Sequence, residues 1–332
     1  MRPYIVIDDA IPFVRGVFEN CAEVCYINGA DITRKDVAVA DALIVRTRTR
    51  CDVSLLEGSR VKMIATATIG TDHIDLKYCS ERGIRVCNAP GCNAGSVAQW
   101  VMSAIAEWML VNEEAHPVVG VVGYGNVGHK VVEMLRCMDV EVMVCDPFKV
   151  GTATFAELQQ KADILTFHVP LTYDGDYPTY HMAGSFTHVR YVLNASRGGV
   201  VDERALIDLT ERGGACAVDC WEGEPEIDRE LLQRSFVATP HIAGYSADGK
   251  WNGTTMAVRA VAKYFGLVPV MPLPLSEGCQ IAADWTDIRK GYDIMADSCA
   301  LKKEPEKFEQ MRRSYPVRRE YKILWNNKKY KQ

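Results

Sequence analysis

The sequence predicts an α/β protein built from two doubly wound parallel sheets with a small C-terminal appendage. Three observations carry this. Short apolar runs rich in β-branched residues alternate with helical patterns from the N-terminus onward. The alternation breaks at Asn88-Ala-Pro-Gly91 and starts afresh at Val118. Finally, Val268 to Pro274 carries three prolines in seven residues, and the chain beyond it is more polar and poor in glycine. A length of 332 residues suits two or three domains.

In the first series, residues 4–7, 42–45, 63–67 and 85–87 read as strands, and residues 11–20 and 74–82 as helices. After the Pro-Gly break comes a long helix over 95–112. Its apolar stripe, Val97, Val101, Ala104, Ile105 and Trp108, repeats at helical spacing. The second series reads as six strands, 118–122, 141–145, 164–167, 191–194, 215–219 and 236–238, with helices notably over 126–138 and 203–212. Six strands suit a full dinucleotide-binding sheet. A further helix over 251–265 precedes the proline-rich linker. Expected domains are therefore 1–94, completed by the helix 251–266, then 95–250, then 267–332.

Bulk properties exclude several classes. No apolar run approaches the ~18 residues needed to span a bilayer, and Met1 to Asp9 reads as a first strand rather than a signal peptide. A cytoplasmic protein is the expectation. The net charge of −5 divides into +4 for residues 267–332 and −9 for the rest, and an acidic body argues against nucleic-acid binding. The twelve cysteines are scattered without a Cys-x-x-Cys pair, so buried reduced thiols are expected and no metal site.

Val118 to Val122 leads into Gly123-Tyr-Gly-Asn-Val-Gly128 and then a helix. That context turns a weak glycine pattern into a dinucleotide site. Gly123 permits a tight turn, Gly125 a close approach of a pyrophosphate, and Gly128 close packing of helix on strand. Asn126 and Val127 open the helix, whose free N–H groups and positive dipole end suit an anion. Asp146 closes the next strand, placed to accept bonds from the adenosine ribose. Its charge repels a 2′-phosphate, so NAD is the expected cofactor.

Three strand-end segments supply residues for oxidising a 2-hydroxy acid: Asn194 to Gly199, Asp219 to Pro225 and Thr239 to Tyr245. The chemistry needs a cation for the carboxylate, a base for the hydroxyl proton and an acid to orient that base. Arg197 can grip a carboxylate through two parallel N–H···O bonds. His241 titrates near neutrality. Glu224 can bond the other imidazole nitrogen, fixing its tautomer and favouring its charged form. Asp219 is placed to meet the nicotinamide amide. Carboxyl ends of neighbouring parallel strands open onto one crevice, which gathers these groups.

These segments resemble the D-isomer-specific 2-hydroxyacid dehydrogenases over about residues 42–265. Ala65 to Asp75, Ala89 to Ala94 and His241 to Ser246 resemble a branch acting on a phosphorylated 2-hydroxy acid. Tail segments around Gly291 to Ile294 and Phe308 to Lys322 resemble its C-terminal domain. The resemblance implies a flavodoxin-like substrate domain, a Rossmann NAD-binding domain and a small α+β dimerisation domain, hence a homodimer. It implies Arg197, Glu224 and His241 as catalytic residues and Thr47, Thr68 and Tyr245 as substrate contacts. Cofactor contacts carry over to Asp146, Ala195, Ser196, Arg197, Asp219 and Gly244, and to the loop at Val169. There a valine stands where threonine is expected, so the side chain brings no hydroxyl to NAD. Thr47 replaces the more usual serine, Cys220 replaces an aliphatic residue, and the C-terminal domain is shorter than in relatives. The branch also implies bound NADH reoxidised by a 2-oxo acid.

A phosphorylated substrate needs cations at its far end. Arg46-Thr-Arg-Thr-Arg50 follows a strand, and extended spacing would place Arg46, Arg48 and Arg50 on one side. Arg46 or Arg48 is the expected phosphate contact. Rival readings are another enzyme of the family, acting on 3-phosphoglycerate or hydroxypyruvate, and an NAD-sensing corepressor-like binding protein. The presence of all three catalytic residue types argues against the last.

Overall fold

The computed structural model describes residues 2–113, 116–182 and 186–324. The chain divides into two compact units: one holds the chain up to Asn93 with Ser246–Glu277, the other Ala94–Tyr245 with the chain from Gly278.

The first unit is a five-stranded sheet of β1 (Tyr4–Asp8), β2 (Glu23–Ile27), β3 (Ala42–Val45), β4 (Met63–Thr66) and β5 (Arg85–Cys87), joined by short helices α1 (Arg34–Ala38), α2 (Val53–Leu56) and α3 (Leu76–Glu81). Every pairing is parallel and the order is β2-β1-β3-β4-β5, the flavodoxin-like arrangement. β3 and β4 are buried along their whole length, which is why they read as continuous apolar runs. A helix over Ala247–Phe265 returns to this unit. Its Ser246 hydroxyl accepts the Gly249 N–H at 2.8 Å as an N-cap. A Cβ on Gly253 would lie 2.5 Å from the Ala67 carbonyl oxygen, so glycine lets the helix backbone approach the end of β4.

Two expectations fail in this unit. Residues 11–20 form a chain of turns, not a helix, closed by bonds such as Ile11 N–H to the Asp8 carbonyl and Cys21 N–H to that of Phe18. Phe13 and Gly16 are left-handed, φ +63° and +82°. Ile11, Val14, Val17 and Phe18 still face the core, and successive turns mimic the helical spacing. Residues 46–49 form a turn rather than an extended run, with the Thr49 N–H on the Arg46 carbonyl. The three arginines therefore do not line up. The edge strand β2 was not anticipated, being only half-buried.

The second unit begins with α4 (Ala94–Asn112), buried over most of its surface. Then come β6 (Val118–Val122), α5 (Asn126–Cys137), β7 (Glu141–Cys145), α6 (Phe155–Lys161), β8 (Ile164–Phe167), β9 (Tyr191–Asn194), α7 (Glu203–Glu211), β10 (Ala215–Val218), α8 (Arg229–Arg234) and β11 (Val237–Ala238). The helix of the first unit over Ala247–Phe265 is α9. All six strands are parallel, in the order β7-β6-β8-β9-β10-β11. The chain leaves β6 for β7 on one side and returns to β8 on the other, so the topological switch lies at the carboxyl ends of β6 and β8. The further strand that the usual dinucleotide-binding order places outside β7 is reduced to one bond, Ala153 N–H to the Val144 carbonyl at 2.8 Å.

The chain from Gly278 packs into this same unit. It forms β12 (Gln280–Ala282), α10 (Trp285–Gly291), α11 (Ile294–Lys303), a 3-10 turn at Pro305–Lys307, α12 (Phe308–Arg313) and β13 (Lys322–Leu324), with β12 and β13 paired in parallel. Ile288, Tyr292, Ile294 and Tyr321 share a core with α4. The Ser298 hydroxyl of α11 accepts the Ala238 N–H at 3.0 Å, so this segment covers the edge of β11. All twelve cysteines are unpaired and six are buried. Among the described residues no helix is long and apolar enough to cross a membrane.

Candidate active site

The glycine turn lies at the switch point. Gly123 is left-handed, φ +92°, and a Cβ there would sit 2.6 Å from the His168 carbonyl oxygen. A Cβ on Gly128 would sit 1.9 Å from the Gly123 oxygen, whereas one on Gly125 would meet nothing within 4 Å. Two glycines are thus demanded by packing, and the third leaves open space above the turn. No side chain caps the first turn of α5, which opens with Asn126 and Val127. Its N–H groups suit a pyrophosphate. Asp146 faces this turn: Oδ2 accepts the Tyr124 N–H at 2.9 Å and Oδ1 that of Phe148 at 3.0 Å. The residues present therefore fit a dinucleotide. Val169, after β8, packs where a Gly123 Cβ would fall, 2.8 Å away. A methyl group stands here, and no hydroxyl is offered.

His241 follows β11 in a left-handed conformation, φ +53°. For a residue with a Cβ this is an uncommon state, held only where the surroundings impose it. Its N–H bonds the Asp219 carbonyl at 2.9 Å. The Asp219 carboxylate, fully buried, accepts the Thr239 hydroxyl at 2.6 Å and the N–H groups of Ile242 and Ala243 at 2.8 and 3.0 Å. One acid thus carries the whole loop. Trp100 of α4 donates its indole N–H to the Thr239 hydroxyl at 2.9 Å, and Trp221 donates its own to the Thr239 carbonyl at 2.9 Å. Sequence reasoning placed Asp219 against the cofactor and missed this structural work.

Glu224 meets His241 as expected. Nδ1 lies 2.8 Å from Oε2 and 3.1 Å from Oε1, and Oε1 also accepts the Trp221 N–H at 2.9 Å. The imidazole side chain keeps 31% of its surface exposed, and Glu224 occupies only its Nδ1. Burial opposes charge on His241, but Cys220 and the Glu224 carboxylate outweigh it, and the imidazole pKa stands well above its usual value. Burial pushes the Cys220 thiol up, so it keeps its proton and Glu224 is the lasting partner. Burial likewise works against the Glu224 carboxylate, yet the His241 bond and charge hold its pKa below the usual range. His168 is a different case: half-buried, it bonds Thr166 at 3.0 Å, and desolvation lowers its pKa to about 3. Of these two histidines, His241 is the one placed for acid/base work.

Arg197 lies on the loop after β9, with Ala195 and Ser196. A Cβ on Gly198 would come 1.9 Å from the Trp221 carbonyl oxygen, so this loop packs directly on the backbone leading to Glu224. Asn194 locks the two together: its amide N–H groups reach the Arg197 carbonyl at 2.9 Å and the Cys220 carbonyl at 3.4 Å, while its Oδ1 accepts from Ser196 N–H and hydroxyl at 3.1 and 2.8 Å. The half-buried Arg197 guanidinium bonds the Ser196 carbonyl at 2.7 Å through Nη1, leaving other donors for a ligand. Gly244 and Tyr245 follow His241 and are both half-buried.

The remaining candidates lie in the first unit. The Thr68 hydroxyl pairs with that of Thr66 at 2.7 Å at the end of β4, and Thr47 is exposed after β3. Arg46 is committed to the buried Asp8 by an ion pair at 3.2 Å, and Arg48 is exposed. Among the described residues no cluster of His, Cys, Asp or Glu could hold a metal ion.

A glycine turn that fits a phosphate and an ion-paired histidine, both at the carboxyl ends of one parallel sheet, point to an NAD-dependent oxidoreductase acting on a CH–OH group. The comparisons agree. Residues 94–243 match the family model "D-isomer specific 2-hydroxyacid dehydrogenase, NAD binding domain". The erythronate-4-phosphate dehydrogenase of Bacteroides thetaiotaomicron is 44% identical, over 96% of this chain and 97% of its own. That of Escherichia coli is 36% identical over 97% and 93%. The solved NAD+-bound 3-phosphoglycerate dehydrogenase of Entamoeba histolytica superposes with a TM-score of 0.68 at 23% identity, over 80% of this chain and 96% of that one, a likeness of fold. The chain belongs to the D-isomer specific 2-hydroxyacid dehydrogenases, and its cofactor is NAD.

Proposed function

We propose that the protein oxidises 4-phospho-D-erythronate to 2-oxo-3-hydroxy-4-phosphobutanoate, a step towards pyridoxal phosphate. The His241–Glu224 pair carries the chemical part of this reading. Full-length similarity to erythronate-4-phosphate dehydrogenases supports the substrate. NAD, when bound, accepts the hydride that leaves C2 of the acid. The proton bookkeeping falls to this chain. His241 takes the C2 hydroxyl proton at Nε2, and Glu224 at Nδ1 stabilises the imidazolium that results. Arg197 holds the substrate carboxylate through two N–H donors. Asp219 keeps the loop, and so Nε2, in one place, and accepts the nicotinamide amide. Asp146 accepts the ribose hydroxyls. Gly123, Gly125, Asn126, Val127 and Gly128 receive the pyrophosphate, with Val169, Ala195, Ser196 and Gly244 lining the rest of the cofactor.

Thr47, Thr68 and Tyr245 are proposed substrate contacts, with Arg46 or Arg48 on the phosphate. The Asp8 ion pair leaves the Arg46 Nη groups for that task. A homodimer in the cytoplasm, with the chain from Gly278 at the dimer interface and a 2-oxo acid as electron acceptor, completes the reading. The test is direct. The protein is incubated with 4-phosphoerythronate or 3-phosphoglycerate, each with NAD and 2-oxoglutarate, and the 2-oxo products are identified. Turnover of 3-phosphoglycerate alone would reassign the substrate. Alanine at both Arg46 and Arg48 is expected to raise KM for the phosphorylated acid; an unchanged KM would remove them from the phosphate site. Light scattering decides the dimer.

A further inference from the structure

We propose that Arg318 is a positioning residue for the reaction: its guanidinium, delivered by the C-terminal segment, holds the loop that carries His241 and Tyr245. Nη2 donates to the Ala243 carbonyl at 2.6 Å and Nε to the Tyr245 carbonyl at 3.1 Å, one on each side of Gly244. Nη2 also reaches the Ser96 carbonyl at 3.5 Å. The loop is therefore gripped from both chemical sides. Buried Asp219 accepts its N–H groups at Ile242 and Ala243, and half-buried Arg318 donates to its carbonyls. A planar fork of fixed donors suits two carbonyls in a way that a single ammonium does not.

The guanidinium is itself held rigidly. Its Cζ lies 4.2 Å from the centroid of the Tyr292 ring. The hydroxyls of Tyr292 and Tyr315 both donate to Asp297 Oδ2, at 2.6 and 2.7 Å. The Tyr315 ring in turn meets the Tyr245 ring edge-on at 6.0 Å. Docking of the segment has other anchors, on α4 and in the core. Gln99 donates to the Tyr321 carbonyl at 2.8 Å, the Ser96 hydroxyl to Glu320 Oε1 at 2.8 Å, and Tyr321 is buried in the core. The bonds from Arg318 to the loop are therefore not needed to hold the tail in place. They act on the segment that presents the base.

The proposal rests on the roles assigned above to His241 and Tyr245. Its test uses the full-length holoenzyme with Arg318→Met, Arg318→Lys and the control Glu320→Gln. Two readouts are taken: kcat and KM with 4-phosphoerythronate, and amide hydrogen exchange at residues 242–245. Loss of positioning is expected to lower kcat/KM by about 100-fold in Arg318→Met, with a smaller loss in Arg318→Lys. Exchange at Ile242 and Ala243 accelerates in step. Glu320→Gln is expected to lower Tm while leaving kcat and loop exchange at wild-type values. Wild-type kinetics and exchange in Arg318→Met would overturn the proposal, as would equal kinetic losses in Glu320→Gln. If Arg318→Met does not fold, Arg318→Lys is read by the same criteria. If the wild type fails to oxidise 4-phosphoerythronate, the substrate reading fails, and loop exchange alone decides the role of Arg318.

Discussion

The turn at Gly123–Gly128 and the loop at His241–Tyr245 are both short connections at carboxyl ends of one parallel sheet, yet they are held in opposite ways. The turn is assembled from its own neighbourhood. Its shape follows from glycines within six residues, and Asp146, 22 residues from Tyr124, closes it with one bond. The loop has partners at similar separation and, in addition, others from far along the chain. Asp219, Glu224, Trp100 through Thr239, and Arg318 all act on it from outside. A cofactor turn of the first kind is damaged mainly from within or from its near neighbours. A catalytic loop of the second kind can be damaged from many places, including the far end of the chain.

The largest expected effect separates the two regions cleanly. His241→Asn should lower turnover by roughly 10²- to 10⁴-fold, the usual worth of a general base, while NADH affinity measured by fluorescence stays near wild type. Retained turnover would remove His241 from the chemistry. Next comes Glu224→Gln, which should cost turnover and move its pH dependence. Oxidation needs neutral His241, and its pKa is raised, so the wild-type rate should climb with pH through a midpoint above 6.5. Without the carboxylate the midpoint should fall, because burial alone disfavours the charge. The same linkage bears on stability: the His241–Glu224 contribution is complete below about 6.5, the unfolded value, and disappears as pH rises through the raised folded value. A midpoint unchanged in Glu224→Gln would detach Glu224 from the titration.

Gly128→Ala probes the turn from within. The added methyl would collide with the Gly123 oxygen, and overpacking of this kind costs about 1–3 kcal/mol. Weakened NADH binding and a lower Tm are expected together, whereas unchanged NADH affinity would show that the turn tolerates the shift. The smallest effect belongs to Asp146→Ser, which removes the charge facing the turn. A shift of preference towards NADP, read as a ratio of affinities, is expected, and an unaltered ratio would place discrimination elsewhere.

How much could be read in advance follows the same divide. The strands of both sheets other than β2, the glycine turn, Asp146 and the Glu224–His241 pair were readable because each is announced by a local pattern or by residue types that few other roles require. Residues 11–20 misled, because consecutive turns put apolar side chains at helical spacing while Gly16 and Phe13 break the backbone. Asp219 was singled out for the cofactor, and its work on the loop was missed. Its three bonds to Thr239, Ile242 and Ala243 exist only once β10 and β11 lie side by side. Arg318 lies in a segment that resembles the C-terminal domain of the branch, but nothing in the residues around it says which carbonyls its guanidinium meets.

The sequence by itself determined the fold class, the cofactor turn and the kinds of residue that perform the chemistry. These depend on backbone stereochemistry, on side-chain periodicity and on intrinsic pKa values, all of which are properties of short stretches. Tertiary structure alone decided which donor meets which acceptor across long separations. It set the left-handed state of His241, the burial that lets Asp219 organise a loop, and the reach of Arg318 to the Ala243 and Tyr245 carbonyls. Hydrogen bonds of this kind gain their directing force from buried geometry, and that geometry exists only after the sheet and the C-terminal segment have packed.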